Sequence, residues 1–150
     1  MHLVPSGTMV PATTGEGLKK IRALKELLIQ LPQEEFTTWH TLHAGIYSRT
    51  VLVKAGIIMA GVSIKIPTTL VLCGDASLTV GEDVVRVSGY MVVPAEANRE
   101  QAIVAHSDTW VTMQFTTDAQ TIEAAEEQFT DEAHLLLSRT QTNIVTITGV

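Results

Sequence analysis

The sequence predicts a mainly β protein, a sandwich or barrel with a helix at each end and a terminal strand. Three observations support this. Hydrophobic residues make up 45% of the 150 and aromatic residues only 5%, so the core is built from Val, Ile, Leu and Ala, a β-branched enrichment that favours strands. Between residues 33 and 118, short apolar runs return at roughly ten-residue intervals between turn signals, the spacing of a sandwich or barrel. Helical periodicity is confined to two segments, 17–31 and 121–137.

Residues 1–15 read as an extended arm. Pro5 and Pro11 cannot donate ladder hydrogen bonds, and Gly, Ser and Thr punctuate the rest. An arm of this kind is usually a loose terminus; its apolar Leu3, Val4, Met9 and Val10 leave open packing on a neighbouring subunit. Residues 16–32 form the first helix: Leu18, Ile21, Leu24, Leu28 and Leu31 make one apolar stripe that Pro32 ends. Residues 33–118 form the barrel, with strands expected at 37–43, 46–53, 57–64, 69–72, 76–80, 84–87, 91–93, 101–105 and 110–116. The stretch 77–87 is the best hairpin, alternating flanks around Val80-Gly-Glu-Asp83. Residues 119–150 hold the second helix and last strand. Ile122, Ala125, Phe129, Ala133 and Leu136 face the core, with Glu123, Glu126, Glu127, Asp131 and Glu132 toward water. The strand from Thr142 to Thr148 has no local hairpin partner, so it pairs with a distant strand or another chain.

A net charge of −6 argues against a nucleic-acid partner, because phosphate binding needs clustered Lys and Arg. The one basic cluster, Lys19-Lys20-Ile21-Arg22, reads as the wet face of a helix. Cys73 is the single cysteine; it cannot close an internal disulfide and reads as a small buried hydrophobe. No apolar run approaches the ~20 residues of a membrane span. The first residues lack the basic start and apolar stretch of a signal peptide. The expectation is a protein made in a cytoplasm, with no membrane partner.

Several short motifs follow one another in a telling order: Leu31-Pro32, Gly45-Ile-Tyr-Ser-Arg49, Lys54-Ala-Gly56, Asp108-Thr-Trp-Val-Thr112, and the acidic helix Ile122–Phe129. Together they resemble the cupin domain, more narrowly the short cupin-like proteins encoded by tailed bacteriophages. The resemblance covers about two thirds of the chain and implies a cupin-like jelly-roll barrel. It also shows a departure. Where a cupin's first motif places two His, this chain has Val62 and Ile64, and its Glu position falls on Pro67 or Thr68. The third His position falls near Arg99. None of these can replace an imidazole or carboxylate on a divalent metal, and an arginine would repel one. No metal and no other cofactor is expected.

Other chemistry finds little footing. His40 and His43 are three apart, which on an alternating strand sends their rings to opposite faces. With His2, His106 and His134 they read as exposed or hydrogen-bonded residues. There is no nucleophile elbow and no phosphate-cradling glycine loop. Tyr47, Arg49, Lys65 and Arg99 are the candidate pocket or rim residues, able to hold a small anion. The leading expectation is therefore a non-catalytic assembly protein that pairs with itself as a homo-oligomer. The phage resemblance implies a virion location, as capsid decoration, cement or head–tail accessory in contact with other virion proteins. The alternative is a degenerate cupin that binds a small-molecule ligand such as a sugar or nucleotide-derived anion.

Overall fold

The computed structural model describes residues 9–149. The expected fold class holds: a mainly β, cupin-like chain whose strands form one curled sheet with two helices. The elements are α1 (Gly15–Leu28), β1 (Thr37–His43), β2 (Ile46–Val53), β3 (Ile58–Ala60), β4 (Thr68–Val80) and β5 (Asp83–Ala95). They continue with β6 (Ala102–Ala105), β7 (Thr109–Thr116), α2 (Ile122–Phe129) and β8 (Thr142–Thr148). Sheet order is β3-β6-β4-β7-β2-β1-β8, with β5 paired along the other edge of β4. The sheet curls as a half-barrel rather than a closed barrel.

The first helix, expected over 16–32, ends at Leu28 and leaves Leu31 of its apolar stripe exposed, and three expected strand boundaries change. The strands expected at 69–72 and 76–80 are one strand, β4, and those at 84–87 and 91–93 are one strand, β5, paired without a break from Thr68↔Ala95 to Val80↔Asp83. Gly74, between the two expected runs, does not turn the chain. It is instead the point where β4 leaves β7 and takes up β6 on the same edge. A Cβ there would collide with Thr109 Oγ1 and lie 2.8 Å from the Asp108 carbonyl, so the glycine permits close backbone approach. The strand expected at 57–64 shortens to Ile58–Ala60, and Ile64 makes only an isolated bridge to Arg99. The hairpin at 77–87 forms as read, with Gly81 at φ +62 in its tip.

The second helix ends at Phe129, earlier than its apolar stripe implied. Thr130 is extended, and its hydroxyl accepts from the Glu132 N–H, an alternative to continued helix. Two short 3-10 turns follow, Ala133–Leu135 and Leu137–Arg139. The N-terminal segment is tied down where it is described: Val10 is 2% exposed and bridges Ala95, and Thr13 exchanges hydrogen bonds with Glu100. Leu3 and Val4 of the expected arm lie outside the described residues. The last strand, β8, pairs in parallel with β1 from Thr37↔Thr142 to His43↔Thr148.

Two apolar clusters fill the concave side. One gathers Leu42, Tyr47, Leu70, Met113, Phe115 and Phe129; the other gathers Val53, Leu72, Ala76, Leu78, Val87 and Ile103. The alternation that sends these residues inward sends Cys73 outward. Cys73 is exposed, not the buried hydrophobe expected.

Candidate functional site

Between the sheet and the segment that follows α2 lies a cavity of about 200 Å³. Its walls are mostly apolar: Leu70, Leu72 and Leu78 from β4, Val111 and Met113 from β7, and Leu136 from between the two 3-10 turns. Four polar side chains reach it: Thr38, Arg49, Arg99 and Gln101. Val62 and Ile64 also line it. The two positions that the cupin resemblance gives to His thus open on this space as aliphatic residues, and Arg99, near the third, brings a guanidinium to it. Among the described residues no three His, Cys, Asp or Glu converge as a metal site. The side chains do not fit a divalent cation.

Arg99 is 1% exposed. Its backbone is held by the bridge to Ile64, with N–H to carbonyl distances of 2.8 and 3.1 Å. The guanidinium donates to neutral acceptors: Gln101 Oε1 at 3.2 Å, Glu96 O at 2.7 Å, Ile66 O at 3.4 Å and Thr68 Oγ1 at 2.5 Å. Its fifth N–H faces only the Met113 thioether, at 3.9 Å, a weak acceptor. No carboxylate lies in ion-pair range of it among the described residues. Burial pushes its pKa down to about 10, so it stays a cation at neutral pH. A buried charge without a counter-charge costs free energy, and hydrogen bonds to dipoles recover only part of it.

Thr38 is 1% exposed, and its Oγ1 is buried without any hydrogen-bond partner. Strand alternation sends it inward beside His40 and Leu42. An orphaned hydroxyl in an otherwise apolar wall costs about 1–3 kcal/mol. A ligand oxygen would satisfy it.

Arg49 reaches the cavity from β2 but is neutralised. Its Nη1 donates to Glu126 Oε2 at 2.8 Å and its Nη2 to Ser138 Oγ at 3.0 Å. Arg139 Nε donates to Glu126 Oε1 at 2.8 Å, and the Ser138 hydroxyl donates to Glu126 Oε2. Burial alone would raise the Glu126 pKa, but hydrogen bonds from Ser138, Arg139 and Arg49 outweigh it and hold the carboxyl below its usual value. Glu126 is 2% exposed, so it is not one of the wet residues its helical position suggested. Its partners come from β2 and from beyond the helix end.

The same network runs on to the last strand. Asn143 Nδ2 donates to the Ser138 and Gln141 carbonyls, so its Oδ1 faces His40 Nε2 at 2.7 Å as an acceptor. His40 therefore carries its proton on Nε2 and accepts at Nδ1 from the Tyr47 hydroxyl, 2.7 Å away. Burial lowers the His40 pKa and pushes that of Tyr47 up to about 12. His43 points outward, as the strand period requires, and bonds Thr148 Oγ1.

Of the four pocket or rim candidates, Arg49 and Arg99 line the cavity. Tyr47 is buried beside it without lining it, and Lys65 pairs outside with Asp131 at 2.6 Å. Thr38 and Glu126 were not singled out from the sequence. Strand parity was the available signal for Thr38; Glu126 had none, because its buried partners are distant in the chain.

No protein-family model and no curated protein matches this chain. Among solved structures it is similar to an ectoine synthase from P. lautus, with a TM-score of 0.49 and 17% identity over 66% of this chain and 76% of that one. A cupin-2 domain protein from Shewanella frigidimarina gives 0.44 and 8%, over 67% of this chain and 99% of that one. A salicylate 1,2-dioxygenase mutant from Pseudoaminobacter salicylatoxidans gives 0.46 and 14%, over 85% of this chain and 42% of the dioxygenase. At this degree of likeness no substrate or chemistry transfers. One expectation is nevertheless corrected: two of these structures are enzymes, so the architecture gives no ground for calling this chain a non-enzyme. The lost ligand positions speak only to one kind of metal site. No bacteriophage protein enters through these three likenesses.

Proposed function

We propose that the chain binds a small organic anion in this cavity, an apolar body ending in a carboxylate or similar group. The observation that carries the reading is Arg99: a cation 1% exposed, open to an aliphatic cavity, and held by neutral acceptors alone. An anion that displaces the weak Met113 contact would supply the missing counter-charge through a charge-assisted hydrogen bond. The orphaned Thr38 hydroxyl offers a second contact, and the aliphatic walls favour an apolar remainder. At about 200 Å³ the space lies below the ~300–1,000 Å³ of drug-sized pockets, which restricts the ligand to a compact molecule.

Thermal unfolding with a panel of short aliphatic and aromatic carboxylates tests this. A ligand at about a hundred times its Kd adds ~2.7 kcal/mol of stability, and calorimetry on Arg99→Met should show binding weakened by about tenfold or more. Failure of every acid in the panel to raise Tm, or equal affinity in Arg99→Met, would overturn the reading. The virion role is a separate proposal supported only by the order of the short motifs; mass spectrometry of purified particles tests it.

A further inference from the structure

The convex side of the sheet, opposite the cavity, carries an uncharged patch that spans six strands. Registers place the outward residues in rows. One runs Tyr90, Cys73, Trp110, Leu52; the next Val92, Val71, Thr112, Thr50, Trp39, Ile144; the third Pro94, Thr69, Gln114, Ser48, Thr41, Thr146. None of these positions holds a charge, in a chain that is 17% charged. Charge resumes one row past Cys73, where Arg86 clamps Asp75 with two bonds of 2.8 and 2.9 Å. No described residue covers the patch: Tyr90 is 70% exposed, Val92 55%, Ile144 49% and Trp110 42%.

We propose that this face docks a second copy of the chain, sheet against sheet, about a two-fold axis. Each copy carries a net charge of −6, so most ways of apposing two copies bring like charges together. This patch brings none. A two-fold interface presents the same surface twice and must tolerate each residue near its own kind; rows of Thr, Val and Trp do, and rows containing carboxylates do not. The sixteen outward positions, at ~4.8 Å between strands and ~6.7 Å between rows, give roughly 500 Å² in projection, somewhat below the ~800 Å² per partner of a standard interface and in keeping with a dimer of micromolar strength. Trp39 stands in the middle row, in edge contact with Trp110 of the first row at 5.3 Å, and aromatic residues of this kind dominate interfaces.

Sedimentation and alkylation of the natural Cys73 test the proposal together. Wild type is expected to dimerise in the micromolar range, with Cys73 alkylation slowing at least about tenfold as concentration rises. Val92→Lys, within the patch, should weaken the dimer about tenfold or more. Val84→Lys, 68% exposed on the same side of the same strand but beyond the Asp75–Arg86 pair, should leave it unchanged. A monomer at tens of micromolar, equal effects of the two lysines, or a dimer in which Cys73 reacts freely would overturn it. The last outcome would place the contact elsewhere, such as along the β8 edge.

Discussion

Arg49 and Arg99 open on the same cavity, yet the protein surrounds them in opposite ways. Arg49 sits in a closed set of partners: Glu126 takes its charge, Ser138 and Tyr47 take further bonds, and the Phe129 ring lies 5.6 Å from the guanidinium carbon. Arg99 is the more deeply buried, and its partners are carbonyls, an amide, a hydroxyl and a sulfur. A neutralised cation ties elements together; here it joins β2, α2 and the turn after α2. A cation left without a counter-charge does that less well, and its retention in an apolar wall is better explained by something that arrives. The first arginine is read as structure and the second as site.

The largest break in this comparison should come at Glu126. Glu126→Gln leaves Arg49 and Arg139 without their shared carboxylate, and breaking a buried pair on one side costs about 3–5 kcal/mol. Urea unfolding should show a loss of that order. A loss under about 1 kcal/mol would mean that Arg49 is no better neutralised than Arg99.

Acid should act on the neutralised region first. The folded Glu126 pKa lies below its ordinary 4.5, so its contribution is fully present above that value and is lost as pH falls through the folded one. His40 adds an earlier step. Its folded pKa lies below 6.5, so the unfolded chain takes up the proton first, and stability declines as pH drops below 6.5 toward the folded value. Arg49, Glu126 and Glu123 are the charged groups that act on it. The added proton goes on Nδ1, where the Tyr47 hydroxyl now donates, so amide exchange in β1 and β2 should quicken over that window. His40→Gln should flatten the slope; an unchanged slope would assign it to other groups.

Arg99→Met should cost much less than Glu126→Gln. Removing the guanidinium leaves the Glu96 and Ile66 carbonyls short of a donor, but it also removes a buried charge with no counter-charge. The two effects oppose each other, and the net change should stay within about 1 kcal/mol of wild type. A loss of 3 kcal/mol or more would make Arg99 a structural residue like Arg49, and the proposed anion would lose its motive.

The two arginines also show how far local pattern reaches. The hairpin around Gly81, the inward parity of Leu70, Leu72, Ala76 and Leu78, and the opposite faces of His40 and His43 follow from alternation and were legible in the sequence. Merging of the runs into the long strands β4 and β5 was not, because Gly74 and Gly89 look like turns until a close neighbour such as Thr109 is known. Glu126 follows Ala125 on α2 and reads as wet, since its burial depends on Arg49, far earlier in the chain, and on Ser138 and Arg139 beyond the helix end. Arg99 was visible as a misfit at a ligand position. Its lack of a carboxylate is a property of the assembled cavity, which no single stretch of sequence contains.

The smallest expected effect concerns Thr38, and it separates the site from the scaffold most cleanly. Its hydroxyl has no partner, so Thr38→Val removes a buried unsatisfied group while nearly keeping the side-chain shape. In the free protein the substitution should be neutral or stabilising by up to about 1 kcal/mol. A threonine kept only for packing would show nothing else. If its hydroxyl completes the anion's contacts beside Arg99, the same variant should bind the carboxylate ligand more weakly by roughly fivefold to tenfold, about one hydrogen bond's worth. Stability and affinity then move in opposite directions on one substitution. A destabilised Thr38→Val with unchanged affinity would mean that the hydroxyl serves the fold, and would leave the anion's binding to Arg99 without help from Thr38.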